Sequence, residues 1–431
     1  MSKEENRKNF SKYVSQNILG MIGFSCYVLA DSYFISIAKG ADGLTALNLV
    51  MPLYSIIFSI GEMIGVGSAI RYAISKIKKD ADADDYFWNA LIWCIMSSMI
   101  FVFTGIFFSA DIMRVLGADE HIVAVGNNYT KIFMCFAPMF MCNYVTNAFV
   151  RNDGAPGIAM SATLFSSLFN IVFDYILMFP MNLGMEGAAL ATALSPIIGM
   201  GICSIHFFSK KSSVRLVVCK PSVRKLVAGS QLGVSAFVGE MSSAVITLAF
   251  NFVILKLAGN VGVAAYGVVA NIAIVTTAVF NGVAQGSQPL ISSCFGRGDR
   301  DGCTQLKRMG YITAFVLAAV MYSILFIFAG QFVAVFNSEG SEMLRLYATE
   351  GVKLYFIGIF FAGINIVGGG AFSATEDAFK AAVVSVARGF VLILGAVFVM
   401  SALFGMTGVW LAYAVAEGIT TFIMLVMVLR V

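Results

Sequence analysis

Five carboxylic acids stand inside long apolar stretches of this 431-residue chain: Asp31, Glu62, Asp174, Glu240 and Glu417. A charged side chain at the centre of a membrane helix costs about 3 kcal/mol, so an acid in such a stretch is a candidate functional group. The sequence places no Lys or Arg at a comparable depth. Burial of an acid without a cationic partner favours a bound proton or a bound cation. These residues therefore predict proton or cation chemistry and argue against an anion pathway.

The segment around Asp174 carries the strongest of these signals. Asn170 precedes Asp174 by four residues, so the two side chains lie on one face of a helix. A carboxylate and an amide oxygen together suit a proton or a hard cation such as sodium, which prefers oxygen ligands. The alternative is that Asn170 only satisfies a buried acid through a hydrogen bond between helices.

The other four acids allow different interpretations. Asp31 lies in the second half of the first apolar segment and is either functional or an acid near the membrane surface, since Lys39 follows closely. Glu240 is a candidate substrate or proton site. Glu62, which is flanked by glycines, serves either transport or a structural hydrogen bond. Glu417, in the last segment, is expected to pack within its own half of the chain.

The composition indicates what surrounds these acids. Hydrophobic residues make up 59% of the chain and charged residues 12%, whereas a soluble domain is typically about 25% charged. The solvent for such a chain is lipid, and a membrane-spanning helix needs about 20 mainly apolar residues. Twelve segments meet this requirement: 12–37, 44–74, 86–109, 121–149, 157–180, 184–209, 224–257, 262–293, 305–335, 343–372, 379–403 and 407–429.

The distribution of basic residues predicts an orientation. If the N-terminus is cytoplasmic, 22 of the 28 Lys and Arg residues, with Arg151 and Arg388 among them, fall on the cytoplasmic side of the twelve segments. Cytoplasmic loops of membrane proteins carry such an excess of basic residues. We therefore expect a multi-pass protein of the cell membrane with both termini in the cytoplasm.

The chain also contains an internal repeat. Residues 185–193 align with 406–414, and residues 43–69 align with 262–288, at nearly equal separations. Each half then holds six helices in the same orientation, which is typical of parallel repeats with a substrate cavity between them near the membrane midplane. We predict an all-α integral membrane fold of twelve transmembrane helices in two six-helix bundles, at 1–215 and 216–431.

Other classes of protein lack support in the sequence. The chain contains no GxSxG, HExxH or P-loop motif, so we do not expect an enzyme. Its eight cysteines form no CxxC pair and it has only two histidines, so we expect neither a disulfide framework nor a cofactor. The expected partners are a small-molecule substrate and the lipid bilayer, with no nucleic acid, and we expect a monomer.

Five stretches resemble the multidrug and toxic compound extrusion (MATE) family, and the similarity extends over essentially the whole chain. They are ADSYFI in the first helix, GLTALNLVMPLYSI, FVRNDGAPGIAMSA, LFNIVFDYILMFPMNLGMEGAALATALS and GVAQGSQPLISSCFGRGD. The pattern is most similar to the DinF-like branch. This resemblance implies a V-shaped pair of bundles that exports cationic or amphipathic compounds in exchange for protons or sodium.

The resemblance also implies an ion-responsive cluster in the N-terminal bundle. Its positions match Asp31, Asn170, Asp174 and Thr192 here, and Thr192 enters only through this match. A second cation site in the C-terminal bundle is not expected, because the stretch FAGINIVGGGAFSATED of the tenth helix carries acids only at its end, Glu376 and Asp377. Glu240 is then a candidate for direct contact with a cationic substrate.

Two alternatives to drug export remain open at this stage. A flippase for lipid-linked oligosaccharides shares this architecture, but its cavity would need basic residues, which the sequence does not place deep in the membrane. A sensor or scaffold without transport would need a partner-binding domain, and the chain shows none. The natural substrate and the choice between proton and sodium stay undecided.

Overall fold

The computed structural model describes residues 3–336 and 341–429, apart from the side chains of Ala41 and Leu429. Residues 1–2 and 430–431, which would test the predicted position of the termini, lie outside this range. Within it the fold is all-helical and contains twelve spans. They are α1 (Lys3–Gly40), α2 (Asp42–Lys78), α3 (Asp85–Val115), α4 (Glu120–Cys135 and Ala137–Asn152), α5 (Pro156–Met178), α6 (Gly184–Phe207), α7 (223–258), α8 (260–296), α9 (Arg300–Ile327, continued by Ala329–Phe336), α10 (Glu342–Ala374), α11 (378–404) and α12 (406–428).

Glycines in a left-handed conformation turn the chain at equivalent positions of the two halves. Gly40, between α1 and α2, has φ 59°, and Gly259, between α7 and α8, has φ 62°. Gly184, before α6, has φ 52°, and Gly405, before α12, has φ 59°. Residues with a Cβ rarely adopt this conformation. The number of residues between the two members of each pair equals the number of residues between the aligned repeat segments. The sequence repeat is therefore also a repeat of backbone geometry.

Three local departures separate the helices from the predicted segments. The first helix begins at Lys3 rather than at residue 12. Helix α4 bends by 46° after Cys135, because Pro138 cannot donate a backbone hydrogen bond and therefore starts a new helix. In α11, residues Ala387–Val391 form a π-helical turn, a feature that is frequent at functional sites and that hydropathy does not register.

The apolar packing has one main cluster centred in each half, with Phe10 and Val14 of α1 joining the C-terminal one and Leu232 of α7 the N-terminal one. In the C-terminal half, the largest cluster surrounds the fully buried side chains of Phe250, Phe280 and Trp410. The N-terminal half holds another cluster, around Phe133 and Phe149. Many large apolar side chains on the outer faces are exposed, as expected for helices whose solvent is lipid.

Glycines bring the backbones of the two halves into contact near the end that carries the N-terminus. A Cβ on Gly67 of α2 would lie 2.1 Å from the carbonyl oxygen of Gly229 in α7. A Cβ on Gly282 of α8 would lie 2.5 Å from the Cα of Ile18 in α1. Such approaches are possible only without a side chain. The halves are therefore closed against each other at this end of the molecule.

An ion-pair latch reinforces this closed end. Arg71 of α2 pairs with Glu376, which follows α10, and also donates to the carbonyl oxygen of Ala228 at 3.3 Å. Lys78 approaches the same carboxylate at 3.5 Å. Glu376 has φ 59°, a left-handed conformation that is costly for a residue with a side chain. The latch thus joins two residues of the N-terminal half to a strained turn of the C-terminal half.

We expect Glu376→Gln to raise the fraction of molecules that open at this end. The paired side chains are about one quarter exposed, so the loss should be close to that of a surface ion pair, about 1 kcal/mol or roughly fivefold in the population. Pulsed spin-label distance measurements between positions 79 and 300, in a background without native cysteines, would report the change. Glu342→Gln is the matched control, since Glu342 is 80% exposed and pairs with Arg345. An unchanged distance distribution in Glu376→Gln would contradict the latch.

Candidate transport site

A cavity of about 230 Å³ lies between the two halves. Helices α1, α2, α4, α5 and α6 of one half and α7, α8, α10 and α11 of the other contribute to its wall. Its charged lining consists of Glu62 and Arg151 from the N-terminal half and Glu240 and Arg388 from the C-terminal half. The structure therefore brings the two predicted candidates, Glu62 and Glu240, into one site.

One polar network crosses this site from half to half. Gln285 of α8 donates from Nε2 to Glu62 Oε1 at 3.3 Å. Arg151 of α4 donates to Gln285 Oε1 and to Asn17 Oδ1, the latter at 3.1 Å. Any separation of the halves must break the contacts of Gln285, so the network is sensitive to the relative position of the two halves.

Glu240, on α7 of the C-terminal half, lines the same cavity as this network. Its charge lies close enough to interact with that of Glu62. Tyr144 of α4 and Tyr27 of α1 both lie within electrostatic range of Glu240. Two acids and two aromatic side chains thus surround one region of the cavity, which suits an organic cation through charge and cation–π contacts.

The expectation that no base lies deep in the spans is wrong for Arg151 and Arg388. Arg151 is 5% exposed although it stands at the end of α4, because its long side chain reaches back into the interface. Arg388 stands in the π-helical turn of α11, ten residues after the helix begins, or about 15 Å into it. The residue count had assigned both to the cytoplasmic surface.

Arg388 is the partner of Glu417. Its Nη2 donates to Glu417 Oε1 at 2.7 Å, and its Nε donates to the same carboxylate at 3.1 Å. Glu417 also accepts a hydrogen bond from Asn365 Nδ2 at 2.7 Å. Glu417 does pack within its own half, as predicted, but as the anion of a buried ion pair.

The four residues of the predicted ion-responsive cluster lie together inside the N-terminal half. Asp31 is on α1, Asn170 and Asp174 are on α5, and Thr192 is on α6, and all four are buried. Asn170 and Thr192 are 3.1 Å apart at their side-chain polar atoms. Asp31 and Asp174 lie within electrostatic range of each other. None of the four lines the cavity described above, so the two sites are distinct.

The amide of Asn170 bridges Asp174 and Thr192. Its Nδ2 donates to Asp174 Oδ2 at 3.1 Å, and its oxygen accepts from Thr192. One oxygen of Asp31 and one of Asp174 have no hydrogen-bond partner among the described residues. Such orphaned buried oxygens are suited to a proton or a hard cation.

Tyrosines complete the surroundings of this cluster, and the sequence reasoning missed them. The hydroxyls of Tyr54 and Tyr129 are hydrogen-bonded to each other within electrostatic range of Asp31 and Asp174. Tyr27 precedes Asp31 by four residues and lies near both sites. Tyr27 could have been predicted from the sequence, because its spacing of four from Asp31 places both side chains on one face of α1. Tyr54 and Tyr129 are on other helices, and no sequence pattern indicates that they lie near Asp31.

A search of known families matches the MatE family model to residues 17–176 and again to residues 236–399, once in each half. Two parallel helical repeats around a central cavity define a membrane transporter. The chain belongs to the multidrug and toxic compound extrusion (MATE) family.

Individual relatives agree with this assignment. The chain is 27% identical over 414 residues to the multidrug export protein MepA of Staphylococcus aureus strain MRSA252, covering 93% of this chain and 89% of that protein. The fold matches an outward-facing MATE transporter of the MOP superfamily with a TM-score of 0.92 at 20% identity, over 99% and 96% of the two chains. A MOP superfamily transporter from Pyrococcus furiosus matches with a TM-score of 0.90 at 20% identity, over 98% and 95%. Placement in the DinF-like branch stays a prediction.

Proposed function

We propose that this protein is a secondary active efflux transporter that exchanges cationic or amphipathic small organic molecules for protons or sodium. The observation that carries the proposal is the buried cluster of Asp31, Asn170, Asp174 and Thr192, which is separate from a charged cavity between the halves. A cluster of oxygen ligands can hold the coupling ion while the cavity holds the substrate. The MATE family and the name of its staphylococcal relative support export as the direction.

The proposal includes an arrangement in the membrane. We place both termini in the cytoplasm of a cell-membrane protein, with bundles at 1–215 and 216–431 acting as the moving bodies and the monomer as the working unit. The excess of Lys and Arg on that side supports the orientation. With this orientation the halves are closed on the cytoplasmic side, so the structure corresponds to the state that faces outward.

Helix α1 provides the physical connection between ion and substrate. Asp31 belongs to the ion cluster, and Tyr27, one turn earlier on the same helix, lines the cavity. Neutralising Asp31 and Asp174 removes a repulsion between α1 and α5, which allows the helices to pack differently. Ion binding and substrate binding then favour different positions of α1, and that difference in affinity is the coupling free energy.

We expect purified protein in liposomes to move a cationic dye such as ethidium only under an imposed ion gradient. The sodium gradient and the pH gradient are applied separately, because the oxygen cluster suits either ion. The coupling ion should accelerate dye movement at least tenfold over the same liposomes without a gradient. Liposomes without protein are the control. Dye movement that ignores both gradients would overturn the proposal.

One observation favours a second function, the flipping of lipid-linked precursors. The cavity holds two guanidinium groups, Arg151 and Arg388, which a pyrophosphate would need. Arg388 is paired with Glu417, and Arg151 binds Gln285 and Asn17, so the site lacks the uncompensated double positive charge that a pyrophosphate needs. A reconstituted assay with a lipid-linked oligosaccharide distinguishes the two functions, since the efflux transporter should leave its distribution unchanged.

A further inference from the structure

We propose that Arg388 forms an anion-accepting subsite of the cavity whose acidic region is formed by Glu62 and Glu240. Given the transport function proposed above, the preferred substrates are then zwitterionic amphiphiles that carry an ammonium group and a carboxylate.

The guanidinium of Arg388 keeps donors for a ligand after binding Glu417. An arginine has five N–H groups. Glu417 accepts from Nε and from Nη2 of Arg388, and the Tyr413 hydroxyl takes a further contact. At least two N–H groups remain, and Arg388 lines the cavity. Asn365, which also lines the cavity, binds Glu417 from the other side, so the carboxylate is held away from a ligand.

The backbone around Arg388 packs closely against α7, which fixes the position of Arg388. Arg388 stands in the π-helical turn Ala387–Val391. The next residue, Gly389, lies so close to α7 that a Cβ there would be 2.6 Å from the Cβ of Ser242. Ser242 is two residues after Glu240 on α7. This close contact sets Arg388 and Glu240 at neighbouring levels on the wall of one cavity.

The acidic region of the cavity, around Glu62 and Glu240, is suited to an ammonium group. Glu62 and Glu240 supply negative charge from the two halves. Gln288 Oε1 and Asn143 Oδ1 are buried acceptors, with no partner among the described residues, on side chains that line the cavity. A buried acceptor without a donor costs free energy until a ligand supplies an N–H group.

The charge balance favours a ligand with both signs. The cavity wall carries Glu62 and Glu240 against Arg151 and Arg388, and the charge of Arg388 is compensated by Glu417, which does not line the cavity. A purely anionic ligand is repelled by the uncompensated negative charge. A simple cation satisfies the acids but leaves the N–H groups of Arg388 unused. A zwitterion satisfies both regions, and a planar carboxylate matches the fork of donors that arginine presents.

The test compares three forms of one molecule: an aromatic amino acid amphiphile, its methyl ester, and its N-acetyl derivative. They carry both charges, only the positive charge, and only the negative charge. Gradient-driven transport by the native protein should show a KM for the zwitterion at least tenfold below that for the ester, with the N-acetyl form poorest. This comparison needs no variant.

The double variant Arg388→Gln/Glu417→Gln removes both members of the ion pair, so no unpaired buried charge remains. It should raise the KM for the zwitterion about tenfold and leave that for the ester within twofold. Arg345→Gln, on the exposed ion pair with Glu342, is the matched control. A native protein that moves the ester but does not prefer the zwitterion overturns this inference alone. Failure of all three compounds to follow either gradient overturns the proposed function as well.

Discussion

Asp174→Asn should reduce gradient-driven efflux at least a hundredfold while leaving the protein folded in the membrane. The amide has nearly the shape of the carboxyl group, so it can keep the contact with Asn170 at 3.1 Å. It cannot gain or lose a proton, and it removes the negative charge that a sodium ion needs. The coupling ion would then bind the two conformations equally, and a ligand with equal affinity for two states shifts neither.

The measurement is dye efflux from liposomes under the coupling gradient, with substrate binding to the same preparation followed by fluorescence. Asp111→Asn is the matched control, because Asp111 belongs to the same half but is 61% exposed and pairs with Arg114, three residues away on the same helix. The control should keep full efflux. Full gradient-driven efflux by Asp174→Asn would remove the coupling role of this cluster.

The membrane-spanning helices and the internal repeat were predictable because each depends on a pattern that the sequence displays directly. Apolar length identifies a span. The separation between the aligned segments 43–69 and 262–288 equals the separation between Gly40 and Gly259 in the structure. The separation between 185–193 and 406–414 likewise equals that between Gly184 and Gly405. Asn170 and Asp174 were predictable as neighbours for the same reason, because a spacing of four is a local property of any helix.

Contacts between helices could not be predicted in this way. The bases were assigned by their distance along the chain from a turn, which ignores how far an arginine side chain can reach and where in a helix it stands. Arg151 therefore counted as a surface residue although it crosses the interface to Gln285. The pairing of Arg388 with Glu417 joins α11 to α12, and the π-helical turn that aims Arg388 leaves no trace in hydropathy.

The second large effect is expected at Gly233, where Gly233→Ala should lower efflux up to about a hundredfold. A Cβ at this position of α7 would lie 2.0 Å from the carbonyl oxygen of Met63 in α2. A backbone atom cannot move aside as a flexible side chain does, so the two helices must separate. Overpacking of this kind costs about 1–3 kcal/mol, and it acts only on the state in which the halves are closed at this end.

The same substitution should therefore change the conformation of the transporter without unfolding it. Distances between spin labels at positions 79 and 300 should lengthen more than in Glu376→Gln, since a steric obstacle opposes closure more strongly than the loss of a partly exposed ion pair does. Gly201→Ala is the control, because a Cβ at that membrane position meets no atom within 4 Å. Normal efflux by Gly233→Ala would show that the turnover cycle does not pass through the closed contact of α2 and α7. In that case the closed end would be a feature of one resting state, and alternating access would require a different pair of helices as the gate at this end of the molecule.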